Sequence, residues 1–182
     1  MVKELRIYFE GDNRLRAGFH EFFKDIVEAA RDKRCRFELV ATDGTPVEDF
    51  ESALKSHPDA WNVLLLDSEG PLNNCERSKK LNPKDEGSVF WMVQVMESWF
   101  LADIPNLSGF YGTRLEPGNP KVEEIPKADV RAKMDKASGD TYHKTKHAPK
   151  LLGLIDPALV RKAAPNCDRM FSLILEQLSK GS

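Results

Sequence analysis

Four carboxylates stand where this chain turns out of apolar runs. Glu10 lies in Phe9-Glu10-Gly11-Asp12, Asp67 and Glu69 in Leu66-Asp67-Ser68-Glu69-Gly70, and Glu97 follows later. The runs ahead of the first two clusters, Leu5 to Phe9 and Trp61 to Leu66, are too apolar for surface loops, so the acids should emerge at strand ends. In open α/β sheets, ligands bind at the carboxyl ends of strands. Hard divalent cations take oxygen ligands, and Mg²⁺ is usually held by one or two carboxylates plus water and substrate phosphate. Carboxylates gathered at one rim also repel, which raises their pKa and costs stability until a cation joins them. The chemistry this implies is metal-dependent phosphate chemistry with Mg²⁺ or Mn²⁺. Two ions about 4 Å apart would stabilise the attacking and leaving oxygens of an in-line displacement.

A second set of residues suits phosphate and bases. From Lys121 to Lys150 the chain is rich in lysine, but Glu123, Glu124, Asp129, Asp135 and Asp140 are interleaved, so most of these lysines form a solvated face. Lys127, Lys144 and His147 are the expected phosphate contacts. Tyr142 beside them is suited to stack on a base or sugar. His143 and His147 have a spacing that zinc ligands use, yet no cysteine or further histidine is near enough to complete four ligands. Ser68 and Ser98 have no histidine and acid arranged for serine hydrolase chemistry. Trp61, Trp91 and Trp99 are expected as core or interface aromatics.

The elements that must position these groups follow from periodicity. Residues 4 to 10 read as a strand. A helix follows, with Leu15, Phe19, Phe22, Phe23, Ile26 and Ala30 on one face and Asp12 or Asn13 as cap. Arg36 to Thr42 is a second strand, ended by Asp43-Gly44. Thr45-Pro46-Val47-Glu48 has the capping-box pattern, opening a helix to about His57 that buries Val47, Phe50 and Leu54. Val63 to Asp67 is a third strand, apolar throughout as in parallel sheets. A polar loop, Gly70 to about Ser88, contains Asn82 and Pro83. Val89 to Gln94 is then a fourth strand and Met96 to Asp103 a short helix carrying Glu97, the alternative being one continuous helix from Val89. The chain should be irregular after Pro105 and basic beyond. Asp156-Pro157 opens a helix that Pro165 interrupts, and a last helix buries Met170, Phe171, Ile174, Leu175 and Leu178.

This order predicts an α/β fold: a mostly parallel four-stranded sheet flanked by helices, with a C-terminal helical extension. Residues 1–115 should form the core, and residues 116–182 a basic loop and helical flank packed on it as one compact unit. For Glu10 and Asp67 to share an ion, the first and third strands must be neighbours, with the second outside the first.

Composition is compatible with this. The 182 residues are 41% hydrophobic and 31% charged, with a formal net charge of −2, so nucleic acid would have to be held by a local basic patch rather than a global field. Three cysteines far apart, Cys35, Cys75 and Cys167, argue against a disulfide framework and for a reducing, cytoplasmic location. No apolar run approaches a membrane span, and the chain enters a strand at once without a signal-peptide pattern.

Glu-Gly at the end of the first strand, an acid-x-acid pair after the third and a glutamate in the following unit together resemble the Toprim fold. That group includes topoisomerase and primase catalytic domains and nucleases of the overcoming-lysogenization-defect type. Within it, Met96-Glu97-Ser98-Trp99-Phe100-Leu101-Ala102-Asp103 and Tyr142-His143-Lys144 look like a branch of small Toprim-related proteins often paired with an ATPase in bacterial defence systems. The acid pair departs from the usual Asp-x-Asp, being Asp67-x-Glu69. The resemblance implies a Mg²⁺-dependent nuclease, the effector of an anti-phage or toxin-like system, acting on DNA or RNA with an AAA or ABC-type ATPase partner. It implies that Glu10 binds metal or assists proton transfer, that Asp67 and Glu69 are the principal ligands, and that Glu97 helps hold a second ion. Lys144 would stabilise charge developing on the scissile phosphate. The competing readings are a non-catalytic interaction subunit of an ATPase complex and a receiver-like phosphoacceptor domain, although receivers expect Ser or Thr after the fourth strand where this chain has Gln94.

Overall fold

Alternation along the strands builds a sheet with two covered faces. A computed structural model describes residues 2–42, 44–81, 87–116 and 120–180. β1 (Glu4–Glu10), β2 (Arg36–Thr42), β3 (Trp61–Asp67) and β4 (Val89–Met92) form an all-parallel sheet in the order β2-β1-β3-β4. Leu5, Ile7, Phe9, Val63, Leu65 and Phe90 face one buried cluster, while Tyr8, Leu64, Leu66 and Val89 face a smaller one. Burial on both sides explains why β3 reads as an unbroken apolar run. The register sets Phe9 against Leu65, so Glu10 and Asp67 leave adjacent strands at the same rim.

On the larger face, α1 (Leu15–Phe22) and α2 (Lys24–Asp32) share one apolar stripe but break at Phe23, where a single continuous helix is predicted. Asp12 sits ahead of them, its carboxylate accepting from the Arg14 amide at 2.8 Å. The Arg14 side chain holds its pKa down to about 2. α3 (Pro46–Ser56) covers the smaller face with Phe50 and Ala53, Val47 and Leu54 being half-buried. Its predicted capping box does not form: Thr45 makes no side-chain cap bond. Both Thr45 and Glu48 are exposed, so solvent serves the free amides of the first turn. Asp43, Asn82 and Pro83 lie outside the described residues.

The predicted irregular stretch after Pro105 is instead helical. A 3-10 turn (Met96–Ala102) leads into α4 (Ile104–Tyr111), then α5 (Lys127–Ser138), α6 (Lys144–Leu152), α7 (Pro157–Ala163) and α8 (Pro165–Ser179). The reason is the place of most prolines: Pro105, Pro157 and Pro165 stand at first turns where the missing N–H is not needed, and Pro126 stands just ahead of α5, while Pro149 is carried inside α6. Asp103 caps α4 through the Asn106 amide, and Asp156 caps α7 through the Ala158 amide. Trp99 and Phe100 are fully buried, Trp99 stacking on Phe22 at 5.0 Å between centroids. α6 packs against α1 and α8 against α2 and β4, which brings the second half of the chain onto the sheet. Among the described residues, no helix is long and apolar enough to cross a membrane.

Candidate active site at the strand ends

The four carboxylates do gather at one rim, but each already has a cationic partner. Glu10 is held by Arg77 from the loop after β3. The guanidinium Nη2 donates to Glu10 Oε1 at 2.8 Å, and Nη1 donates both to Glu10 Oε2 and to the Asp67 carbonyl oxygen, the latter at 2.8 Å. The Asp67 amide donates to Glu10 Oε2 at 3.0 Å. β1, β3 and the loop are therefore tied together through one bidentate pair, the strong form of such contacts.

Asp67 is 4% exposed. Its Oδ1 accepts from the Met96 amide at 2.7 Å, and its Oδ2 faces the ammonium of Lys144 at 3.7 Å. Glu97, 8% exposed, presents Oε1 to the same ammonium at 3.7 Å and accepts from the Tyr142 hydroxyl at 2.9 Å. At 3.7 Å these are ion pairs rather than hydrogen bonds. Burial pushes the Asp67 carboxyl up to about 7; Lys144 pulls it down, and Glu97 and Glu10 add to the rise. Burial opposes the charge on Lys144, but Glu97 and Asp67 more than offset it and hold its pKa above the ordinary lysine value. Burial and the neighbouring Glu97 raise the Tyr142 phenol, which keeps its proton to donate.

Glu69 and Gln94 follow the ends of β3 and β4 with left-handed backbones, φ 61° and φ 69°. Each such non-glycine residue costs on the order of 1 kcal/mol or more, and strain of this kind concentrates at functional sites. The Glu69 amide donates to the Gln94 carbonyl at 2.9 Å, and Ser68 Oγ accepts from the Gln94 amide at 2.8 Å, so the two ends are pinned together. The left-handed turn at Gln94 is also why β4 stops at Met92, short of its predicted end. Gln94 Oε1 accepts from the Lys127 amide at 3.1 Å at the start of α5, and the Lys127 ammonium pairs with the Glu69 carboxylate. Between α5 and the rim lies a cleft of about 270 Å³, floored by Val95, Val130 and Met134 and edged by Lys127, Arg131 and Lys144.

Of the predicted nucleic-acid contacts, Lys127 and Lys144 edge this cleft. Tyr142 also lines it, with its hydroxyl committed to Glu97. His147 sits further off in an aromatic cluster, its Nδ1 3.0 Å from the Tyr111 hydroxyl. Burial together with His143 and the nearby lysines lowers its pKa, so it is a weak cation.

Among the described residues, no group of three or more His, Cys, Asp or Glu side chains stands ready as a metal cage. Asp67 and Glu97 nevertheless fit one Mg²⁺. Both are buried carboxylates facing a single cationic position, and this ion typically takes only one or two carboxylates from the protein. Glu10 is held on both oxygens by Arg77, and Glu69 is paired through one oxygen with Lys127.

Sequence reasoning missed Arg77, Ser68, Gln94 and the Met96 amide. Arg77 lies in a stretch without periodicity, and its only signal is an arginine in the loop that follows the acid pair. Backbone groups and left-handed turns leave no residue-type signature at all.

The fold and site define a parallel α/β protein with a buried, cation-balanced acid pair at its strand ends. Residues 12–175 match the family described as Domain of unknown function (DUF4276), and the chain belongs to that family. No curated protein matches it. A search of solved structures finds similarity to the C-terminal region of the Burkholderia pseudomallei OLD protein, at 13% identity over 99% of this chain and 98% of that one, with a TM-score of 0.47.

Proposed function

We propose that this chain is a divalent-cation-dependent nuclease of Toprim type that hydrolyses phosphodiester bonds in DNA or RNA. We place it as the effector of a bacterial defence or toxin-like system with an ATPase partner, as its sequence resemblance implies. One observation carries the chemistry: the buried carboxylates of Asp67 and Glu97 converge on one cationic position, now taken by Lys144 at 3.7 Å from each. Two negative groups held in a protein interior are stable only with a positive partner. A Mg²⁺ or Mn²⁺ ion bound there supplies Lewis-acid stabilisation of the phosphoryl oxygens.

The chain's own residues do the rest. The Met96 amide orients Asp67, and the Tyr142 hydroxyl orients Glu97. Lys144 is half exposed at the start of α6 and carries its charge toward the scissile phosphate. Lys127 and Arg131 offer positive charge to neighbouring phosphates, and the apolar floor of Val95, Val130 and Met134 suits the face of a base. Glu10, through Arg77 and the Asp67 amide, fixes the strand end on which Asp67 stands.

A second reading, the non-catalytic subunit of an ATPase complex, is favoured by the ion pairs that already occupy Glu10 and Glu69. The receiver-like reading is opposed by Asp67 itself, whose two oxygens are engaged and 4% exposed in aggregate with the residue. Calorimetric titration with Mn²⁺ decides between the first two. Binding to the wild type that Asp67→Asn abolishes, with Mn²⁺-dependent cleavage of labelled DNA or RNA lost in Lys144→Met, is the expected result. Absence of binding in the wild type leaves the silent subunit.

A further inference from the structure

The Arg77 fork on Glu10 has no place in a site that gathers four acids around two ions. Arg77 delivers three N–H bonds into the rim: to each Glu10 oxygen and to the Asp67 carbonyl. With the Asp67 amide at 3.0 Å as well, the Glu10 carboxylate is engaged on both oxygens. The pair is well shielded, the side chains being 32% and 21% exposed. A guanidinium cannot be neutralised by losing a proton, so this charge is permanent. An ion brought to Glu10 would stand against it and would have to break the fork.

We propose that Arg77 takes the place of a second metal ion, so that the site binds one divalent cation, between Asp67 and Glu97. This rests on the metal-dependent reading above. Charge balance supports it. The carboxylates of Glu10, Asp67 and Glu97 face two cations, Arg77 and Lys144, so one divalent ion already tips the rim to a small positive excess and a second would add two more charges before any phosphate arrives. Geometry supports it independently, because both Glu10 oxygens are taken up by the fork and the Asp67 amide, while Asp67 Oδ2 and Glu97 Oε1 share Lys144. Glu10 and Arg77 sit at the β1 side, and Asp67 Oδ2, Glu97 and Lys144 face one another at the β4 side.

Titration of the full chain with Mn²⁺, followed by the electron paramagnetic resonance of free ion, counts the sites. The expected result is one ion per chain in the wild type and in Arg77→Lys, which keeps the charge, and two in Arg77→Met, which removes it. Asp67→Asn should bind none. If Arg77 only fastens the loop, Arg77→Met melts at lower temperature but binds the same number of ions as the wild type, and the proposal is overturned while the metal reading stands. If neither the wild type nor Arg77→Met binds Mn²⁺, both fall together. Circular dichroism of each variant establishes that the counts come from folded protein.

Discussion

Gly18 of α1 approaches Pro149 of α6 so closely that a Cβ on it would stand 2.3 Å from the Pro149 carbonyl oxygen and 2.8 Å from the Leu152 Cβ. Neither neighbour is the free end of a flexible side chain, so the helices must part. Gly18→Ala should cost about 1–3 kcal/mol despite the better helix propensity of alanine. For a chain of this size that is on the order of 2–4 °C in Tm per kcal/mol. Lys144 opens α6, so the shift should also weaken Mn²⁺ binding or cleavage. A variant as stable as the wild type refutes the close packing.

Asp67 makes stability depend on pH in an unusual direction. Its carboxyl titrates at about 7 when folded against an ordinary value of 3.8, chiefly because it is buried. Between those values the folded chain keeps a proton that the unfolded chain has lost. Raising the pH through that window therefore favours unfolding, by up to about 1.4 kcal/mol per pH unit. In chelator, Asp67→Asn should gain on the wild type steadily from about pH 4 to about pH 7 and hold that advantage above it. Denaturant midpoints whose difference stays constant across the window would remove the argument.

How far the residues alone reveal this molecule differs between frame and site. Strand β3 is readable because burial on both faces leaves an uninterrupted apolar run, and its place beside β1 follows once the acids that end both strands are required to share one rim. α4 and α5 are not readable, because Pro105 and Pro126 look like breakers until their places at helix starts are known. At the site, acid positions are visible but their partners are not. Nothing in Cys75-Glu76-Arg77 signals that the arginine folds back on Glu10, since that depends on the path of a loop. The left-handed turns at Glu69 and Gln94 are equally silent, as neither residue type prefers that backbone.

Tyr142 gives its hydroxyl to Glu97, which makes it a positioning residue for that carboxylate in the proposed site. Tyr142→Phe keeps the ring and removes the bond to Glu97 Oε1. A hydrogen bond to a charged group contributes about 1.5–3 kcal/mol, and its loss leaves Glu97 freer to turn. Mn²⁺ affinity should fall by roughly tenfold, the equivalent of about 1.4 kcal/mol, with nucleic-acid affinity in the absence of metal nearly unchanged. If metal binding holds and only nucleic-acid affinity drops, the ring is a stacking surface and the positioning role is wrong.

Lys127 and Arg131 should make the binding of nucleic acid salt-dependent. Each lies on α5 at the edge of the cleft, and each is already paired, Lys127 with Glu69 and Arg131 with Asp135 at 3.0 Å. Phosphate must therefore displace a carboxylate, which moderates affinity without abolishing the release of counterions. For a single strand each phosphate contact contributes about 0.7 to the slope of log K against log salt. The double variant Lys127→Ala, Arg131→Ala should flatten that slope by about 1.4. It also leaves Glu69 unpaired near the strand, so affinity should fall further than the two lost contacts alone require. Fluorescence anisotropy with a labelled single strand at several salt concentrations measures both quantities. An unaltered slope would place the nucleic acid elsewhere on the surface.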